Sequence, residues 1–313
     1  MTGYLLRRLV STVPVVAIVA VLVFLMLRLT PGDPAAVIAG DNATSEQIAL
    51  IRSRLGLDQP LLTQFAIWSG NLLQGNFGES FFFKKTVAEL ILGRIEPTLS
   101  LALATIAIAV LVAVPLGVLA AYKHGTWIDR VVMGFSVLGF SVPVFVIGYA
   151  LIYVFAVTLN WLPIQGYQPI SGGLWPFLQR LILPAVTLSV IYIALIARMT
   201  RASVLEVLGE DYIRTARAKG QVERIILFRH ALKNAAVPIV TVIGIGVALL
   251  IGGVVVTESV FAIPGLGRLT VDAVLARDYP TIQAVILLFS VVYIAVNLCV
   301  DLAYTLFDPR IRY

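Results

Sequence analysis

Two histidines, His124 and His230, and one cysteine, Cys299, are all the imidazole and thiol chemistry in the sequence. Disulfide frameworks need paired cysteines, and metal sites usually draw on several His or Cys ligands, so neither is expected. No G-x-x-x-x-G-K-[ST] run is present to cradle nucleotide phosphates, and no H-E-x-x-H pair, nucleophile elbow or carboxylate dyad occurs. The sequence therefore predicts no catalytic residue, no metal site and no cofactor in this chain.

The polar groups that remain lie in or beside long apolar runs. Asp301 follows Asn297 by one helical turn, on the same helix face. It sits about 9 Å from the end of its run at Phe307. Two roles are open to it: pairing with a neighbouring helix near the headgroups, or relaying a proton. Glu258 closes another apolar run, and Arg28 ends the first, where its long side chain can snorkel. Backbone signals add to these. Pro115 and Pro143 interrupt two runs, and Ser141 places a hydroxyl beside the kink expected at Pro143. Gly244, Ala248 and Gly252 recur every four residues, a small-residue ridge that suits close helix packing or a substrate path. Pro264 and Gly265, in "FAIPGLGRL", suggest a turn or re-entrant segment that gates a mouth. Ser141, Pro143, Gly244, Ala248, Gly252, Glu258, Pro264, Gly265, Asn297 and Asp301 are thus the candidate pathway or gate residues.

The elements that position these groups belong in lipid. Only 13% of residues are charged, 59% are apolar, and mean hydropathy is +0.96. A soluble domain carries about a quarter charged residues, so a single aqueous core is excluded. Six apolar runs, near 9–29, 98–121, 131–159, 181–197, 237–257 and 282–307, approach the length needed to cross about 30 Å of hydrocarbon. The fourth is the shortest. The first is too long for a signal-peptide core and lacks a clear cleavage site, so it reads as a retained span. Arg7, Arg8, Lys123, Arg130, the group from Arg198 to Lys233, Arg310 and Arg312 fall on one side of these spans. Arg180, Arg268 and Arg277 fall on the other, offset by Asp272 and Asp278. Positive charge stays inside, so both termini are expected in the cytoplasm. The net charge of +6 is then mostly a topology signal rather than a mark of nucleic-acid binding.

The external loop 31–97 carries its own fold signals. Thr44 and Gln47 have capping-box spacing, Ile48, Ile51 and Leu55 recur at helical spacing, and Gly56 supplies a stop. "GNFGESFFF" sets turn glycines beside aromatics that need burial. A small folded cap is expected, whether as scaffold or as a receiving surface.

The segment "DYIRTARAKGQVERIILFRHALKNAAVP", residues 211–238, holds six Lys and Arg. Each would cost roughly 2.5–3.5 kcal/mol near the bilayer centre, so the segment belongs in the cytoplasm or at the surface. It parses as a short helix capped by Asp211 and stopped by Gly220, then a second amphipathic stretch leading to Pro238. Thr215, Ala216 and Ala218 are small enough to let another surface approach. An ordinary positive-inside loop, a DNA-binding helix-turn-helix and a docking element for a cytoplasmic partner all fit its charge, although a turn tethered between spans matches the DNA-binding motif poorly.

The segment resembles the cytoplasmic motif E-A-A-x3-G-x9-I-x-L-P of permease subunits of bacterial binding-protein-dependent ABC importers. Arg214, Thr215, Ala216, Gly220, His230 and Leu232 stand at its positions, and the proline is displaced to Pro238. The departures are similar to those of the dipeptide/oligopeptide/nickel class, with "YIRTARAKG", His230, Leu232, Asn234 and Pro238. "LTPGDPA", "RLGLDQPLLTQF", "GNFGESF", "SVPVF", "ESVFAIPGLGRL" and "DPRIRY" extend the resemblance along the whole chain. It implies an all-α integral membrane fold, the six-transmembrane-helix ABC importer permease fold, with a folded extracytoplasmic loop after the first helix. It also implies half of a translocation pathway for di- or oligopeptides in a bacterial inner membrane. Nickel complexes, glutathione or oligosaccharides are alternative cargoes, and a proton-coupled peptide carrier is the alternative of another class. The implied partners are a second homologous permease subunit, two ATP-binding subunits that hold ATP and magnesium, an extracytoplasmic substrate-binding protein and membrane lipid, with no nucleic acid. A coupling loop at 201–236 would meet the ATPase through Asp211, Tyr212, Arg214, Thr215, Ala216, Arg217, Lys219 and Gly220, supported by His230, Leu232, Asn234 and Pro238.

Overall fold

A computed structural model describes residues 2–29, 33–40, 43–54, 56–80 and 82–307. Leu55, residues 30–32 of "LTPGDPA" and the terminal "DPRIRY" with Arg310 and Arg312 lie outside the described residues. Helix dominates because lipid offers the backbone no partners, so apolar segments must satisfy their own N–H and C=O groups. In chain order the helices are α1 (Thr2–Leu29), α2 (Pro34–Ala39), α3 (Ser45–Arg54) and α4 (Leu61–Leu73). A hairpin of β1 (Glu79–Ser80) and β2 (Lys85–Thr86) follows, then α5 (Val87–Tyr122), α6 (Trp127–Ser141) and α7 (Val144–Leu151), which continues as a π-helix over Ile152–Thr158. Next come α8 (Leu174–Leu208), α9 (Asp211–Ala218), α10 (Glu223–Ile225), a π-helical segment Ile226–Ala231 and α11 (Leu232–Asn234). After these come α12 (Ala236–Val260), α13 (Leu266–Leu275) and α14 (Tyr279–Phe307).

Among the described residues, five helices are long and apolar enough to cross a membrane, within α1, α5, α8, α12 and α14. The α6–α7 pair is bent by 104°, and the total is six if it counts as one span. The bend falls where Val142 and Pro143 both adopt extended backbone, as the ring of a proline demands of the residue before it. Pro115, in contrast, does not interrupt its helix, and α5 runs unbroken through Pro97 and Pro115. It also starts well before 98, because the Thr86 hydroxyl accepts the Glu89 N–H at 3.3 Å and caps it. The shortest expected span, 181–197, lies inside a helix of 35 residues, roughly 52 Å long.

The chain divides into two compact units. One contains Pro97–Gly267 and the end of α14 from Ala295. Its core forms around α8, whose buried face includes Leu181, Leu188, Tyr192, Ile196 and Val204. Glycines of three other helices meet this face. A Cβ on Gly117 would lie 2.7 Å from the Ala197 carbonyl, one on Gly139 3.1 Å from Ala194, and one on Gly253 2.9 Å from Leu188. The missing side chains let these backbones approach α8 closely.

The other unit contains Thr2–Glu96 and Arg268–Ile294. The loop subdomain expected at 31–97 therefore shares its unit with α1 and the start of α14. Thr44 and Gln47 form a reciprocal capping box, with N–H···O distances of 2.9 and 3.3 Å. Phe24 of α1 stacks edge-on against Phe65 of α4 at 5.1 Å, with Trp68 beside both. The hairpin pairs Glu79 with Thr86 and Ser80 with Lys85. Ser80 and Thr281 both donate to the Asp278 Oδ2, at 2.5 and 2.6 Å, and anchor the hairpin. The aromatics of "GNFGESFFF" are not all buried: Phe82 is 61% exposed and stacks on Phe83.

Candidate functional site

The segment joining α8 to α12 is a small platform. Gly209 and Glu210 link α8 directly to α9, and Glu210, not Asp211, is the N-cap residue. Its extended backbone (ψ 147°) lets its carbonyl accept the Ile213 and Arg214 N–H groups at 3.0 and 3.3 Å, without a side-chain cap. Asp211 instead occupies the first turn, where its charge suits the positive end of the helix. It pairs with Arg214 at 3.3 Å, both side chains well exposed. A surface pair of this kind contributes about 0–1 kcal/mol, so it holds Arg214 only weakly.

Gly220 ends α9 at φ +78°. Its N–H donates to the Arg217 carbonyl at 2.9 Å, and the Gln221 N–H donates to the Ala216 carbonyl at 3.2 Å. This is the Schellman arrangement, which uses a residue in left-handed conformation to satisfy the last carbonyls.

Beneath α9 lies the π-helical segment 226–231. Ile213 and Ile226 are fully buried, while Leu227, Ala231, Ala235 and Ile239 pack with Val118, Ala121 and Val204. Asn234 Nδ2 donates to the Tyr212 hydroxyl at 2.9 Å and to the His230 carbonyl at 2.7 Å, bringing three motif residues together. Burial pushes the Tyr212 hydroxyl above its usual range, the Asn234 hydrogen bond opposes this, and the Glu210 charge adds to it. Arg217 grips Glu223 through Nε at 2.8 Å and closes the turn between α9 and α10. Leu232 and Pro238 are half-buried, Pro238 in the first turn of α12 where no N–H is needed. Asp211, Tyr212, Arg214, Thr215, Arg217 and Lys219 face outward, with Ala216 half-buried.

Of the pathway candidates, Glu258, Pro264 and Gly265 meet at one turn, while the others lie elsewhere. Ser141 and Pro143 are exposed at the α6–α7 bend. In α12, Gly244 lies against Val300, Ala248 is half-buried, and a Cβ on Gly252 would meet nothing within 4 Å. The ridge expected from 244, 248 and 252 is therefore not one packing line. The glycines that meet α8 are Gly246 and Gly253, against Tyr192 and Leu188. Asn297 and Asp301 are half-buried on α14. Glu258 is fully buried: it accepts the Thr98 hydroxyl proton at 2.5 Å, while Thr98 Oγ1 accepts the Leu266 N–H at 2.8 Å. Gly265 and Gly267 leave the room that this carboxylate fills. Glu258 thus braces the Phe261–Gly265 turn, in which Pro264 is exposed and Gly265 buried.

Sequence reasoning missed one cluster. Arg201 of α8 donates from Nε and Nη2 to the two carboxylate oxygens of Asp129 of α6, at 2.5 and 2.7 Å. Asp129 is buried and also accepts the Gly125 N–H, and His124 Nδ1 lies 2.9 Å from Arg201 Nη2. An Asp opening one apolar run and an Arg following another are the available signal. The fork ties the lower part of α8 to the α5–α6 turn, one helical stretch from α9.

Comparison with known proteins fits this geometry. Residues 113–313 match the family described as "Binding-protein-dependent transport system inner membrane component". Residues 1–102 match "Binding-prot-dependent transport system membrane comp, N-term". A probable peptide ABC transporter permease protein of Sinorhizobium fredii is 59% identical over 99% of both chains. A putative peptide transport system permease protein of Brucella abortus is 46% identical, and a glutathione transport system permease protein of Salmonella typhi 47% identical, each over 100% of both chains. Among solved structures, the MetNI methionine ABC transporter in inward-facing conformations matches with a TM-score of 0.58, 20% identity and coverage of 70% of this chain and 96% of that chain. At that identity the likeness concerns the fold.

Proposed function

The chain belongs to the family of binding-protein-dependent transport system inner membrane components, and we propose that it forms half of the pathway of an ATP-driven peptide importer. Peptides are the cargo in the names of the relatives from Sinorhizobium and Brucella, and glutathione, itself a small peptide, in that from Salmonella. Nickel complexes and oligosaccharides are the alternative cargoes.

The observation that carries the reading is α9. It is a short charged helix standing on one buried isoleucine, with its outer face exposed and only Gly209 and Glu210 between it and α8. In this proposal α9 sits in a groove of a separate ATPase subunit, which supplies ATP, magnesium and the hydrolytic step, while this chain performs no covalent chemistry. The coupling set is Asp211, Tyr212, Arg214, Thr215, Ala216, Arg217, Lys219 and Gly220, held by His230, Leu232, Asn234 and Pro238. An ATPase can shift a transport equilibrium only through contacts that differ between two states. The Tyr212–Asn234 bond and the buried Ile213 make α9 a stiff lever for that purpose. A second homologous permease, a second ATPase and an extracytoplasmic binding protein complete the assembly. Both termini and α9 lie in the cytoplasm of a bacterial inner-membrane protein.

The test is uptake of a labelled tripeptide into vesicles containing the full assembly, with ATP inside or outside and with a protonophore. Uptake that needs ATP on the α9 side and survives the protonophore supports the proposal. Uptake that proceeds without ATPase subunits and collapses with the proton gradient supports the different-class reading, a proton-coupled carrier.

A further inference from the structure

A cavity of about 780 Å³ lies within the unit formed by residues 2–96 and 268–294. Its volume falls in the ~300–1,000 Å³ range of small-molecule sites. Arg28, on one wall, is the feature that points to a ligand. Its guanidinium lies 3.5 Å over the Phe24 ring, and Nε donates to Gln64 Oε1 and Nη1 to the Phe24 carbonyl, both at 2.9 Å. Gln64 is buried and is itself held by donating to the Gln59 carbonyl at 2.8 Å. These bonds fix the plane of the guanidinium while using only part of its donor set. Among the described residues no carboxylate lies within ion-pair distance of it. A half-buried cation with neutral partners favours an anion, and a fixed guanidinium fork matches a carboxylate in two-point geometry.

The remaining walls complement the rest of such a ligand. Asp58 and Glu79 also line the cavity and are solvent-exposed, so they place negative charge at the rim. The Asn71 amide offers a donor and an acceptor, as a peptide bond requires, Asn76 adds its Nδ2 donor while its Oδ1 already accepts the Gly78 N–H at 3.0 Å, and Trp68 supplies an apolar wall.

We propose that this cavity binds a short zwitterionic peptide, with its C-terminal carboxylate on Arg28 and its ammonium toward Asp58 and Glu79. The charge arrangement selects a zwitterion, and the choice of a peptide among zwitterions rests on the importer reading above. The site would be an additional contact for cargo, made of residues other than those of the coupling platform.

The test uses the intact chain in lipid nanodiscs, with Trp127, Trp161 and Trp175 changed to Phe so that Trp68 reports alone. Trialanine is expected to give a saturable fluorescence change. Amidation of its C-terminus should weaken binding roughly tenfold to a hundredfold, the range for losing a charge-assisted hydrogen-bond pair, and Arg28→Met should do the same. Arg28→Lys should fall between. Because Arg28 also packs on Phe24, the pair Asp58→Asn and Glu79→Gln gives an independent check at exposed positions. It should weaken trialanine but leave N-acetyl-trialanine unaffected. The proposal is overturned if trialanine gives no saturation, or if amidation and the rim variants leave its affinity unchanged. ATP-driven uptake by the full assembly, measured in parallel, separates the two readings. Uptake without binding to the isolated chain sinks this site alone, and binding without ATP-driven uptake sinks the importer reading.

Discussion

Gly220 stands at φ +78° with nothing within 4 Å of the place a Cβ would occupy. Its requirement is therefore conformational, not steric. Gly220→Ala should cost about 1 kcal/mol at the end of α9, and Gly220→Asn less, because Asn tolerates the left-handed region. Gly220→Val should lower the uptake obtained per ATP hydrolysed while the amount of folded chain changes little. Thermal unfolding of the purified chain and transport in vesicles measure the two effects separately, and full coupling in the Val variant would count against α9 as the lever. This residue was legible in sequence because a glycine after a polar helix has a local meaning. The Arg201–Asp129 fork was not, because its partners are 72 positions apart and only folding brings them together. Arg201→Ala leaves a buried carboxylate without its main partner, a change expected to cost about 3–5 kcal/mol. Replacing both partners with apolar residues of similar volume should recover much of that loss. Equal unfolding temperatures for the parent and the Arg201→Ala variant would show that the fork has little structural weight.

At the level of elements, α8 organises its unit through close approach rather than through side-chain bulk. Neighbouring glycines of α12 make the point testable. A Cβ on Gly253 would press on Leu188 at 2.9 Å, whereas one on Gly252 would meet no neighbour. Gly253→Val should destabilise the isolated chain by about 1–3 kcal/mol through overpacking, and Gly252→Val should stay within about 0.5 kcal/mol of the parent. Denaturant or thermal unfolding in one detergent compares them directly. Small residues every four positions suggested 244, 248 and 252, but periodicity gives a face and not the identity of its neighbour. Among the described residues, each of the five membrane-length helices contains one of the apolar runs. They undercounted α8 because Arg198 and Arg201 look like the end of a span, while the Asp129 partner that lets the helix continue is invisible in sequence. The Pro143 bend was legible for the opposite reason: proline acts on its own backbone.

For the molecule as a whole, the distribution of ionisable groups decides between the two transport classes. A proton-coupled carrier needs a titratable group that exchanges protons along the path. Glu258 is unsuited, being fully buried and committed to Thr98. His124 neighbours the Arg201–Asp129 fork, where its alignment is structural. Asp301 is the remaining carboxylate of α12–α14 that the sequence placed inside a span, and it is half-buried beside Asn297 on the same helix face. Asp301→Asn keeps the shape and most of the hydrogen-bonding capacity while removing the charge. If movement is driven from α9, this variant should retain ATP-driven tripeptide uptake within about twofold of the parent, as for other substitutions away from critical features. Its dependence on external pH should match the parent's. If instead the chain carries protons, uptake should fall to background and the pH dependence should disappear with the carboxylate. The measurement is an uptake assay at several external pH values, with internal ATP and pH held constant.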